Sequence, residues 1–82
     1  MLESNLRDIV SPFAQKLSTQ YLNLTNKEVQ IANMIKEGLS TKEISNFLNV
    51  SEAAINLHRY RIRQKLSLTK EQNLQSFLCS FI

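Results

Sequence analysis

One signature recurs along this chain: a hydroxyl residue followed three positions later by Glu or Gln. It occurs at Thr25 with Glu28, at Ser40 with Glu43, and at Thr69 with Gln72. In such a capping box the hydroxyl accepts from a backbone N–H of the first turn, while the longer side chain accepts from the cap's own N–H. Each box therefore marks the start of a helix. Two are framed by apolar staple positions, Leu24 with Val29 and Leu39 with Ile44. With one Gly and one Pro in 82 residues, and no strand-like alternation, the chain is left with short helices joined by tight turns. The expected fold class is all-α.

From Thr25 a helix should run over about 26–37, burying Ile31, Ala32 and Ile35 with Met34 at its margin. Gly38 follows, placed where a left-handed residue ends a helix. From Ser40 a short helix over 41–48 should bury Ile44, Leu48 and Phe47. Asn49-Val50-Ser51 then turns the chain into a longer helix, about 52–66, with Ser51 as cap, Glu52 on the positive helix end and Val50 placed to pack on Ile55. Thr69 opens a last helix to about residue 80, whose stripe is Leu74, Phe77, Leu78 and Phe81. Upstream, Leu2, Leu6, Ile9 and Phe13 step by four, three and four, widened by Val10 and Leu17. Pro12 interrupts, either restarting a helix at Ser11 or kinking one that runs through. This stripe covers about two heptads, and both a helix packed on its own domain and a dimerising or signalling helix stay open. The chain divides into an N-terminal helix and linker, 1–23, and a helical domain, 24–82, with Tyr21 and Leu22 packing the linker onto it.

The 52–66 helix carries the functional signal. Ile55, Ile62 and Leu66 form a buried stripe, and the opposite face shows Ala53, Asn56, Leu57, Tyr60, Arg61 and Gln64. Arg59, Arg61, Arg63 and Lys65 fall on alternate residues and so spread along the flanks. The net charge of +3 is a weak pointer to an anionic partner; the purely basic segment 59–65 is a better one. A short helix, a turn of about three residues and a longer basic helix is the helix-turn-helix pattern, whose second helix enters a DNA groove.

Other chemistry finds little support. The single Cys79, read as a half-buried spacer, excludes an internal disulfide and a cysteine zinc site, and fits a reducing cytosol. His58 alone meets no ligand count, so no metal site is expected. Glu28 and Glu43 serve as caps and lack a pocket for acid–base work. With no Gly-rich phosphate loop, the chain offers no catalytic residues and implies no cofactor. No apolar run reaches membrane-spanning length and no signal peptide is evident, so a cytoplasmic protein is expected.

Residues 24–68, LTNKEVQIANMIKEGLSTKEISNFLNVSEAAINLHRYRIRQKLSL, closely resemble the DNA-binding domain of LuxR-type (GerE-type) bacterial transcription regulators. The landmarks are Leu24-Thr25 with Glu28, Gly38-Leu39-Ser40, Lys42-Glu43-Ile44, Val50-Ser51, Ile55, His58-Arg59, Ile62 and Lys65-Leu66. The resemblance implies a four-helix domain, preceded here by an additional N-terminal helix, with its third helix in the major groove. On that pattern Asn56, Leu57 and Tyr60 would contact bases, while Lys42, Ser51, Arg59, Arg61, Arg63 and Lys65 would contact phosphates. Dimers of such regulators often touch through the fourth helix, so Leu74, Phe77 and Phe81, together with Leu2, Leu6, Ile9 and Phe13 of the first segment, are candidate dimer positions. The partners implied are double-stranded DNA, a second copy, an upstream sensor commonly of PAS type, and RNA polymerase. A small stand-alone regulator of the GerE kind is the alternative to an effector domain with a sensor upstream. Two departures from the pattern stand out: Ala54 replaces a frequent Thr, and Asn56 and Tyr60 replace frequent basic residues. Two other readings compete, a helical dimerisation or partner-docking module without DNA binding, and a sigma-factor-like promoter-recognition module.

An Asn can pair bidentately with adenine in the major groove, a contact worth about 1–3 kcal/mol of discrimination. Binding selections should therefore show an adenine whose preference disappears in Asn56→Ala; an unchanged preferred sequence would rule this out.

Overall fold

The computed structural model describes residues 12–81, which fold into α1 (Pro12–Gln20), α2 (Asn26–Lys36), α3 (Thr41–Leu48), α4 (Glu52–Lys65) and α5 (Leu74–Ser80). The first two capping boxes close in both directions. The Glu28 amide donates to Thr25 Oγ1 at 3.1 Å and the Thr25 amide to Glu28 Oε1 at 2.8 Å. Ser40 and Glu43 repeat the pair at the same two distances. Ser51 Oγ accepts from the Ala54 amide at 3.0 Å and starts α4. The described part of α1 spans Pro12–Gln20.

The stops of α2, α3 and α4 each place a residue in the left-handed conformation. After α2, the Gly38 amide donates to the Ile35 carbonyl and the Leu39 amide to the Met34 carbonyl, with Gly38 at φ +96°. This is the Schellman arrangement, and it needs a left-handed residue. After α4, Ser67 adopts φ 59° and the same pair of bonds runs from Ser67 to Gln64 and from Leu68 to Arg63. After α3, Asn49 is left-handed at φ 62° and the Val50 amide reaches back to the Ser45 carbonyl. Asn tolerates this conformation better than most residues.

The third box only half closes. The Thr69 amide donates to Gln72 Oε1 at 2.8 Å, but the helix starts later, at Leu74, capped by the Asn73 side chain. Arg63 spans this stretch, its guanidinium forking onto the Thr69 and Gln72 carbonyls at 2.6 and 2.9 Å. Those carbonyls are thereby held in a turn.

Helix α2 packs against α1, α4 and α5, while α3 packs on α4. Ile31, Ala32 and Ile35 of α2 form the centre of a core completed by Phe13 and Leu17 from α1, Ile44 from α3, Ile55 and Ile62 from α4, and Leu74 and Leu78 from α5. Apolar burial at this scale contributes roughly 1.5–3 kcal/mol per large side chain. At the chain's end Phe81 meets the rings of Phe13, Tyr21 and Phe77 at centroid distances of 5.9–6.1 Å. Lys16 and Lys36 lie over Phe81 and Phe13.

Several side chains depart from expectation. Phe47 is 69% exposed, because Ile44 and Leu48 already fill the inner face of α3 and Phe47 lies outside it. Val50 stays exposed and does not close a staple over Ile55. Tyr21 packs on Phe81, but Leu22 is 83% exposed in the turn. Cys79 is exposed, its thiol donating weakly to the Lys36 carbonyl. Phe13 and Leu74 lie inside the domain's own core at 1% and 3% exposure, which corrects their reading as dimer surface. Leu2, Leu6 and Ile9, and the choice between a restarted and a kinked helix at Ser11, lie outside the described residues.

Glu28 is a buried carboxylate, 3% exposed, and its solution to that burial ties two helices together. Lys65 Nζ lies 2.8 Å from Oε1 and 3.1 Å from Oε2, and also donates to the Asn23 carbonyl. Burial alone pushes the Glu28 carboxyl up, but the bond and charge of Lys65 and the Thr25 donors outweigh it, leaving the group below its ordinary 4.5. A depressed carboxylate pKa stabilises the fold above the unfolded value, and that contribution is lost as pH falls through the folded one. Thermal or urea unfolding should show wild-type stability declining below about pH 5, with a flatter profile in Glu28→Gln. Lys65→Met, which strands the buried carboxylate, should cost about 2 kcal/mol or more. A loss within 0.5 kcal/mol would mean that the pair contributes little.

Candidate nucleic-acid interface

Helices α3 and α4 with the Asn49-Val50-Ser51 turn make a helix-turn-helix. Ile55 and Ile62 are fully buried and Leu66 nearly so, which sets the rotation of α4 about its axis. That rotation sends Ala53, Asn56, Leu57, Tyr60, Arg61 and Gln64 to the outside, along one continuous face. Leu57 and Tyr60 are 48% and 57% exposed, although nothing in the helix itself requires apolar or aromatic surface there. Each expected base-contacting residue is thus accessible. Two of them already have internal partners: Thr41 Oγ1 donates to Asn56 Oδ1 at 3.3 Å, and Gln64 Nε2 donates to the Tyr60 hydroxyl at 3.0 Å.

The cations divide into two groups. Lys65 is committed to Glu28 and the Asn23 carbonyl, and Arg63 to the turn before α5. These two are ties within the domain, satisfying a buried carboxylate and otherwise bare carbonyls. Arg61 is exposed, and Lys42 is exposed near the start of α3. Arg59 is half-buried; burial first, and then the neighbouring Arg63 charge, pull its guanidinium below the ordinary arginine value. A guanidinium still carries its charge at neutral pH. Among the described residues no acidic side chain pairs with Arg59, so an anion arriving there would relieve the repulsion. Ser51 is exposed at the α4 N-terminus, where backbone N–H groups favour negative charge. His58 is half-buried with an unpartnered, buried Nδ1 on the flank of α4.

Thr41 is the residue that sequence reasoning missed. Its position directly after the Ser40 cap was legible, but its reach across to Asn56, fifteen residues on, depends on how α3 crosses α4. Among the described residues no helix is long and apolar enough to cross a membrane, and no three His, Cys, Asp or Glu side chains converge as a metal site would require.

The comparisons agree with this geometry. Residues 22–78 match the family of bacterial regulatory proteins described as GerE, luxR family. The response regulatory protein YgeK of Escherichia coli K12 is 38% identical over 64 residues, covering 74% of this chain and 44% of that protein. The response regulator UvrY of the same strain is 37% identical over 54 residues, 66% of this chain and 25% of UvrY. The probable transcriptional regulator ycf29 of Guillardia theta is 29% identical over 63 residues, 77% of this chain and 30% of ycf29. The chain thus spans less than half the length of these relatives. No solved structure matches it significantly. The matched stretch takes in both helices of the motif and their packing partners, and the chain belongs to the LuxR family of bacterial regulatory proteins.

Proposed function

We propose that this chain is a sequence-specific double-stranded DNA-binding module in which α4 enters the major groove. The observation that carries the reading is the outer face of α4: an amide, an aliphatic side chain and a phenol, all exposed, bordered by the free cations Arg59 and Arg61. A solvated helix face has no use for exposed Leu57 and Tyr60, whereas base edges and thymine methyl groups do. Asn56, Leu57 and Tyr60 read bases; Lys42, Ser51, Arg59 and Arg61 hold phosphate. Residues 24–82 carry the binding motif and its supporting helices, and α1 packs into the same core through Phe13 and Leu17.

The relatives' names and the short share of their length point the same way for regulation. The module acts as the output part of a regulator whose sensory part lies elsewhere, in the cytoplasm, and its DNA-bound state speaks to RNA polymerase. It binds as a homodimer, with half-exposed Phe77 and Phe81 the apolar surface left to a second copy once Phe13 and Leu74 are buried. The docking-module reading is weaker because it leaves Arg59, which no acidic side chain pairs with among the described residues, and the exposed reading face without a role.

Titration of labelled duplex DNA at several salt concentrations tests this directly. Affinity should fall linearly on a log–log plot, with about 0.9 of slope for each phosphate neutralised. Lys42→Ala should weaken all sequences about equally and lower the slope by roughly one, whereas Tyr60→Ala should also change sequence preference. Absence of binding at low salt, with a clean dimer in solution, would favour the docking module instead.

A further inference from the structure

The contact between Thr41 and Asn56 joins the first residue of α3 to the middle of the outer face of α4. Among the described residues it is the one side-chain hydrogen bond between the two helices of the motif. Its polarity is fixed by chemistry: the amide oxygen has no hydrogen, so the Thr41 hydroxyl must donate and Asn56 Oδ1 must accept. The carbonyl end of the amide is therefore turned toward α3, and the Nδ2 end is left free. One lone pair of Oδ1 also remains, so the side chain can still accept from adenine N6 while Nδ2 donates to N7.

Thr41 is well placed to hold that orientation. Its backbone follows a closed capping box at Ser40 and Glu43, itself set by the left-handed stop at Gly38. Its β-branched side chain has few χ1 choices in a helix, so the hydroxyl's direction is set by the α3 backbone. Without this partner an exposed Asn rotates about χ1 and χ2 and can present either end of its amide to the groove. We propose that Thr41 is a positioning residue for base readout, selecting the amide orientation in which Asn56 pairs with its base. The inference rests on the reading of α4 as the groove helix. At 3.3 Å the bond is long for a hydroxyl donor, so it biases the amide without locking it, and its effect on specificity is correspondingly modest.

The test is a binding selection on the full chain, comparing wild type, Thr41→Val, Thr41→Ser, Asn56→Ala and the double variant Thr41→Val with Asn56→Ala. Thr41→Val should reduce discrimination at the base pair that Asn56→Ala affects, by roughly two- to tenfold, the scale of ordering one side chain. Thr41→Ser, which keeps the hydroxyl, should retain the preference, and the double variant should discriminate no worse than Asn56→Ala alone. Any loss of binding to a non-specific duplex at low salt should be no larger in Thr41→Val than in Lys42→Ala, which separates positioning from a direct phosphate contact. If Asn56→Ala alters the preference and Thr41→Val leaves it intact, or if Thr41→Ser fails as Val does, the positioning role is overturned while base readout stands. If wild type shows no sequence preference, or Asn56→Ala changes none, base readout by Asn56 falls and the positioning role with it.

Discussion

The buried carboxylate of Glu28 is the constraint around which this small domain is arranged. A charge removed from water must find donors, and Glu28 finds them in the Thr25 amide and in Lys65. One donor lies before α2 and the other at the end of α4, so satisfying a single side chain fixes two helix ends against each other. The Asn23 carbonyl shares the same ammonium and brings in the turn after α1. Around that tie, the apolar face of α2 gathers α1, α4 and α5, and α3 is held in turn by α4.

This arrangement decides which charges are available. A reading of charge along α4 counts four cations, but the fold consumes two of them. Lys65 neutralises Glu28, and Arg63 clamps the turn leading into α5. What faces outward is Arg61, half-buried Arg59 and an uncharged strip of Asn56, Leu57 and Tyr60. Structural cations lie toward the C-terminal end of the helix and the reading side chains toward its N-terminal half. The terminal segments show a similar economy of surface. Phe13 and Leu17 lie inside the core, and Phe81, itself half-exposed, packs against three other rings, so α1 and the end of α5 meet there.

Much of this was legible in local sequence because it is local physics. The boxes at Thr25 and Ser40 and the stop at Gly38 operate within a single turn of chain, and the helices they bound lie where spacing places them. The stripe Ile55, Ile62, Leu66 likewise gave the rotation of α4 and hence its exposed face. Legibility failed where the deciding partner was distant or the residue type unspecific. Asn49 and Ser67 end helices in the left-handed conformation of Gly38; Asn suits that conformation, but Ser does not announce it. The box at Thr69 has the right residues, but the helix starts at Leu74 behind the Asn73 cap, and Arg63 reaches the intervening turn from another helix. Lys65 with Glu28 spans 37 positions and Thr41 with Asn56 spans 15, and only the packed structure brings either pair together. Phe47 and Leu22 show the converse: apolar side chains at positions the core has no room to use.

The central claim is that the outer face of α4, with the start of α3, is the surface that meets DNA. Mapping backbone amide chemical shifts of the full chain, free and with a short duplex at low salt, tests it without knowledge of the preferred site, because non-specific binding uses the same charged surface. The expected result is a set of perturbed amides confined to the neighbourhood of Thr41 and Lys42, the Ser51 cap and the stretch from Ala53 to Arg61, with the aromatic cluster around Phe81 unmoved. Perturbations centred on α1 and α5, or none along α4, would contradict it.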